Sequence, residues 1–237
     1  MPDTLPPALL LDLDDTILSY SAGIEDTWRE VVRTHASHLG AEGMQRLFDE
    51  LIGARVWYWA DPSQHRVGRL DLLETRRYLV RESLRRLGMP DDAVGNAVGD
   101  EYSRLRDIKL APFPGAIETV HDIRKRGTKL ALITNGNATM QRGKIDRFGL
   151  EPLFDCIVVE GEFGVGKPDQ RVFLHALDTL KVAPHEAWMV GDNLEWDVAG
   201  PQAVGVKGIW MDFRGKGLPE SSPVRPDRII NTLSELL

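Results

Sequence analysis

Three features of the 237-residue sequence predict an α/β fold: a doubly wound, Rossmann-like parallel sheet carrying an inserted all-helical cap. Short continuous apolar runs alternate with helical patterns through the C-terminal half. Each run ends in a polar cluster. A long segment with helical periodicity alone separates the first run from the second. Apolar runs without polar alternation suit strands buried on both faces, and strand–helix alternation builds a parallel sheet.

The first predicted strand is Ala8–Leu11. Helices follow over 25–39, 44–52, 70–87 and 92–105; in the third, Leu72, Leu73, Tyr78, Leu79, Leu84 and Leu87 recur at helical spacing. A crossover between parallel strands needs only ~10 to 12 residues. The surplus predicts a helical cap over 20–107, with the α/β core formed by 1–19 and 108–237. A cap placed near the strand ends can close over a site. After it come a helix over Ala116–Lys125, between Pro114-Gly115 and Gly127, and a strand over 129–133. A helix over 141–148 ends at Gly149 and leads to the strand Cys156–Val159. A helix over 169–180 starts after Pro168, and a strand covers 187–190. The last pair is a helix over 195–204, ending at Gly205, and a strand over 206–211. Proline at a helix start and glycine past its end are the expected punctuation.

Composition narrows the function. Apolar residues make up 42% and charged residues 27%, the profile of a globular chain. The formal net charge of -7 argues against a nucleic-acid polymer or an anionic membrane as partner, because both demand a positive field. No stretch approaches the ~20 apolar residues of a membrane span. The first seven residues, Met1 to Pro7, lack the basic start of a leader. The single cysteine, Cys156, allows no internal disulfide and sits in an apolar run, as a small buried hydrophobe would. These readings predict a cytoplasmic protein.

In a doubly wound sheet, ligands lie just beyond the carboxyl ends of the strands. There the sequence places Asp12-Leu13-Asp14-Asp15-Thr16, then Thr134-Asn135-Gly136-Asn137. Lys167-Pro168 follows the third strand, and Gly191-Asp192-Asn193-Leu194-Glu195-Trp196-Asp197 follows the fourth. Gathering carboxylates at one edge is unfavourable unless chemistry uses them, since like charges repel and resist desolvation. In order and wording, these segments resemble the four motifs of the haloacid dehalogenase-like (HAD) hydrolase superfamily: D-x-D-x-T, Thr-Asn-Gly, Lys-Pro and G-D-x-x-x-x-D. Each motif alone is weak; four in order after predicted strands are strong. The second and fourth segments look closest to the acylneuraminate-9-phosphatase and pyrimidine 5′-nucleotidase branches.

The resemblance implies a Mg²⁺-dependent phosphomonoester hydrolase acting on a small phosphorylated metabolite, a sugar phosphate or nucleotide. Asp12 would be the nucleophile and form an aspartyl phosphate; Asp14 would protonate the leaving oxygen and then activate water. Asp12, Asp192 and the backbone carbonyl of Asp14 would hold Mg²⁺, a cation that prefers oxygen ligands. Thr134, the Asn135 N–H and Lys167 would hold the phosphoryl oxygens. Asp197 would support Lys167 or the metal from behind, or ligate directly. Cap residues select substrate in the family, so Arg66, and with it Arg69, is a candidate for an anionic part of the substrate; both also read as solvated surface. Trp57, Tyr58 and Trp59 read as cap core, and Asp15 as a solvated loop or capping residue.

A phosphomutase of the same superfamily is the main alternative. A 2-haloacid dehalogenase would lack the carboxylate at position 14, since a halide leaves without a proton. A phosphonatase needs a cap lysine, and 20–107 contains none. A non-enzymatic phospho-acceptor domain would carry its aspartate on an interior strand and have no cap.

Overall fold

The computed structural model describes residues 5–237; Met1–Thr4, part of the stretch read above for a leader, lie outside the described residues. The chain divides into two compact units, Met1–Tyr20 with Ala111–Leu237, and Ser21–Leu110.

The first unit is built on a six-stranded sheet. Its strands are β1 (Ala8–Leu11), β2 (Lys129–Thr134), β3 (Cys156–Val159), β4 (Ala187–Gly191), β5 (Lys207–Met211) and β6 (Arg228–Ile230). They run in the order β3-β2-β1-β4-β5-β6, with every pair parallel. β1 lies at the centre, with Leu11 opposite Leu132 on one side and Val190 on the other. The strand order reverses at β1, which is where such sheets open a crevice at their carboxyl edge.

Both faces of β1 are covered, so all four of its residues are apolar and fully buried. Ala8 and Leu10 join a core cluster with Ala131, Ile133, Val158, Met189 and Phe173. Phe173 belongs to the helix Gln170–Leu180, whose buried positions Val172, Phe173, Ala176, Leu177 and Leu180 form one stripe. Burying a side chain of that size stabilises the fold by roughly 1.5–3 kcal/mol. Side chains cap several helices: Asp169 accepts from the Arg171 N–H at 3.0 Å, and Asn137 accepts from the Met140 N–H at 3.2 Å.

The second unit holds five helices: α1 (Ile24–His35), α2 (Gly40–Ala60), α3 (Pro62–Gly68), α4 (Leu72–Arg86) and α5 (Asp92–Lys109). Trp28, Val31, Leu47, Leu51, Leu79, Leu84, Val98 and Tyr102 form its core. The Trp28 and Tyr102 rings stack at 3.5 Å between centroids. Gly95 and Gly99 let α5 approach α4 closely; a Cβ on Gly99 would stand 2.8 Å from the Arg77 backbone nitrogen. No helix among the described residues is long and apolar enough to cross a membrane.

Several expectations change in detail. The helix expected over 44–52 runs through Gly40–Ala60, stopping where Asp61 caps α3 through the Ser63 and Gln64 N–H groups and Pro62 takes the first helical position. Trp57 is therefore no part of the core: it is 47% exposed on the last turn of α2, while Tyr58 and Trp59 are partly buried. The helix expected over 195–204 splits into a π-turn at Leu194–Ala199 and a short helix at Gly200–Gln202. The short strand β6 follows a proline-rich stretch and was not anticipated.

Candidate active site

The polar residues that end the strands converge at the carboxyl edge of the sheet in the first unit. Asp12 directly follows β1, and its N–H donates to the Val190 carbonyl at 2.9 Å, extending the β1–β4 ladder by one residue. Its backbone is thus fixed by sheet geometry. Asp12 Oδ1 accepts from Lys167 Nζ at 2.6 Å, and Oδ2 accepts from the Thr16 hydroxyl at 3.3 Å. Thr16, the last residue of the D-x-D-x-T segment, is fully buried.

Lys167 is 1% exposed, and its ammonium also donates to Asp197 Oδ1 at 2.6 Å. Burial alone pulls a lysine down, but Asp12 and Asp197 more than reverse this and hold it above its ordinary value. The backbone of Lys167 is locked by Asn135: the Asn135 Oδ1 accepts from the Lys167 N–H at 2.7 Å, and its Nδ2 donates to the Lys167 carbonyl at 2.8 Å. Lys167-Pro168 is a cis peptide. The Asn135 side chain therefore ties the β2 loop to the loop after β3.

Asp192 follows β4, and Trp210 Nε1 donates to its carbonyl at 2.8 Å. Asp197 lies in the π-turn, almost fully buried, with Oδ2 accepting from the Asn193 N–H at 3.0 Å. Gly191 is required there: a Cβ would run into the Asp197 carboxyl group. Oxygens of Asp12, Asp192 and Asp197 lie within 4.8 Å of one another, a grouping that could hold a metal ion. Burial is the main cause that pushes Asp12 up to about 7, with Lys167 opposing it and Asp197 adding to it. Burial also pushes Asp192 up to about 9, reinforced by Asp12, Asp197 and Asp15. Buried carboxylates pushed above their ordinary range, with further carboxylates beside them, form a cluster short of positive charge. A divalent cation with oxygen ligands fits that donor set.

Asp14 stands at the end of a tight turn, in an isolated bridge with Leu18. Its carboxylate accepts from Lys144 Nζ at 2.8 Å (Oδ1) and 2.6 Å (Oδ2), and from Gln141 Nε2 at 3.1 Å. Gln141 Nε2 also donates to the Thr134 Oγ1 at 2.5 Å, which leaves the hydroxyl proton of Thr134 available to another acceptor. Gln141 and Lys144 both sit on the helix Ala138–Arg147 and are buried.

The structure thus brings Asp12, Lys167, Asp192 and Asp197 together, and joins Asp14 to Thr134 through Gln141. Arg66 is exposed on α3, in the helical unit. Asp15 is corrected: it is 8% exposed rather than solvated, with φ of 60°. Its N–H closes onto the Leu18 carbonyl at 2.6 Å, and aspartate tolerates that left-handed conformation. Sequence reasoning placed Thr16 in the first motif without giving it a role, and missed Gln141, Lys144 and Glu160. Glu160 is buried and accepts from the Gly136 N–H at 2.8 Å, bracing the β2 loop. The signal for Gln141 and Lys144 was available: they share a helix face with Ile145 and Phe148, where a polar residue needs a buried partner.

Fold and site together define a hydrolase of the α/β type, and comparison with known proteins agrees. The family of haloacid dehalogenase-like hydrolases matches residues 6–205, and the chain belongs to it. It is similar to a phosphoserine phosphatase from Thermus thermophilus, 34% identical over 248 residues, covering 96% of each chain. It is also 38% identical over 135 residues to an N-acylneuraminate-9-phosphatase from Rattus norvegicus, a match spanning 56% of this chain and 53% of that one. Among solved structures it resembles the HAD-hydrolase YfnB from Bacillus subtilis bound to magnesium. That match has a TM-score of 0.71 and 22% identity, and covers 98% of this chain and 97% of the other.

Proposed function

We propose that the chain is a magnesium-dependent phosphomonoesterase for a small phosphorylated metabolite, working through a phosphoryl group held on Asp12. The observation that carries this reading is the second carboxylate, Asp14, held beside the Thr134 hydroxyl by shared bonds to Gln141. A halide leaves without a proton; an alcohol requires one. The relatives' names support the same direction, since they are phosphatases acting on small phosphorylated compounds.

Asp12, Asp192 and the Asp14 carbonyl are the proposed magnesium ligands. When bound, magnesium screens the charge between the carboxylate nucleophile and the phosphate dianion. Asp197 is better suited to support than to direct ligation, because its oxygens already accept from Lys167 and the Asn193 N–H. An Asp12 oxygen attacks phosphorus as the ester P–O bond breaks, and the departing alkoxide takes a proton from Asp14. Water then attacks phosphorus and gives its proton back to Asp14. The bond to Asp12 breaks, inorganic phosphate leaves, and the carboxylate is restored. The Thr134 hydroxyl, the Asn135 N–H and the Lys167 ammonium hold the phosphoryl oxygens, whose charge is spread in the transition state.

The experiment is hydrolysis of 4-nitrophenyl phosphate by the purified chain, with and without a chelator, beside Asp12→Ala. The wild type should turn over only with magnesium, and Asp12→Ala should be inactive. Activity that survives either the substitution or chelation overturns the reading.

A further inference from the structure

We propose that Lys144 and Gln141 are positioning residues that set the Asp14 carboxyl for its proton transfers and register it against the phosphate-holding Thr134. This rests on the phosphatase reading above and extends it to two residues outside the four motifs.

Asp14 is partly exposed, at the mouth of the site, where a free carboxylate would turn between rotamers. Lys144 stops that motion. Its ammonium spans both carboxylate oxygens, at 2.8 and 2.6 Å, and is itself buried. The Tyr20 ring lies against it, 4.5 Å from Nζ to the ring centroid, and narrows the space the ammonium can occupy. Gln141, one turn earlier on the same helix, holds Asp14 Oδ2 at 3.1 Å and Thr134 Oγ1 at 2.5 Å with a single amide nitrogen. One rigid helix thus holds both the acid and the hydroxyl that grips the phosphoryl group. With its oxygens anchored on the helix side, the carboxyl group keeps a remaining lone-pair site facing the reacting oxygen, where it carries the proton it gives to the leaving group and takes back from water. A displacement of about 1 Å in such a group slows a reaction by ~100-fold, which gives the clamp its value.

The test uses leaving groups that differ in their need for a proton. A 4-nitrophenolate leaves unassisted, whereas an alkoxide does not. The readout is kcat/KM with saturating magnesium, which reports steps up to release of the alcohol. It is measured for 4-nitrophenyl phosphate and an alkyl phosphate in Asp14→Asn, Lys144→Met, Lys144→Arg and Gln141→Met. Lys144→Met should lose about 30-fold or more on the alkyl ester and no more than about 3-fold on the nitrophenyl ester, the pattern of a misplaced general acid. Lys144→Arg should recover most of the alkyl-ester rate, and Gln141→Met should show the same selectivity to a smaller degree. Equal losses on the two esters, or none, while Asp14→Asn remains selective, overturn the positioning role alone. If Asp14→Asn is also indifferent to leaving group, the acid assignment fails and the positioning role falls with it. Should Lys144→Met not fold, Gln141→Met carries the same comparison: a selective loss supports the role, and an unselective loss or none overturns it.

Discussion

Lys167 places one positive charge between two buried carboxylates, each 2.6 Å from its nitrogen. Removing one member of a buried, hydrogen-bonded ion pair destabilises a protein by about 3–5 kcal/mol, because the remaining charge is stranded. Lys167→Met should therefore lower stability by that order in urea titrations; a loss below ~1 kcal/mol would mean the ammonium is dispensable to the fold. On the proposed role of Thr134 as a donor to the phosphoryl oxygens, Thr134→Ala should lower kcat by about 10²–10³-fold with folding intact. An unchanged kcat would remove Thr134 from the site. At this scale the sequence was legible where a residue type has few other reasons to sit at a strand end, as with Asp12 and Asp192. It was illegible where a side chain's work depends on folding: Asn135 offers its backbone by family analogy, yet its side chain is occupied in locking Lys167.

Among the elements, the π-turn Leu194–Ala199 shows how local bonding outranks helical pattern. Asn193 Oδ1 accepts from the Glu195 and Trp196 N–H groups, and the Asp197 N–H donates to the Asn193 carbonyl at 2.8 Å. These bonds cap the turn at its start, where the Asn193 N–H also donates to Asp197 Oδ2 at 3.0 Å, and such π-turns recur at functional sites. Gly191→Ala would push a methyl group into the Asp197 carboxyl, so both stability and magnesium affinity should drop, the former by about 1–3 kcal/mol. Titration of magnesium against the variant, read by its thermal midpoint, tests this; unaltered affinity would show that Asp197 does not support the metal. The central strands were legible because double burial leaves a continuous apolar signature. β6, three residues long at the sheet edge, leaves none, and the extent of α2 was hidden because its aromatic end is not amphipathic.

For the whole molecule, the acidic cluster links metal, pH and stability. Burial raises Asp12 to about 7 and Asp192 to about 9 from 3.8. The folded chain then binds protons more tightly than the unfolded one. The contribution of these groups is therefore full below about pH 4 and is lost as pH rises through 7 and then 9. A cation bound to the same oxygens replaces those protons. The magnesium-induced rise in thermal midpoint should accordingly be larger at about pH 8.5 than at about pH 5.5, and an equal or smaller rise at the higher pH would contradict the assignment. Arg66→Ala should raise KM for the physiological ester more than for 4-nitrophenyl phosphate; equal changes would leave Arg66 a solvated surface residue. Fold class was legible from strand–helix alternation alone, whereas the packing of the five helices was not. Their contacts rest on close approaches such as Gly99 to Arg77 that spacing does not reveal.

The most direct test of the whole account is acid quenching of the enzyme during turnover with a phosphate ester, followed by peptide mass spectrometry. The account predicts a phosphoryl group on the peptide containing Asp12, at Asp12 itself, that is absent from Asp12→Asn. A phosphoryl group on a different residue would contradict it, and so would Asp12→Asn turning over at the wild-type rate.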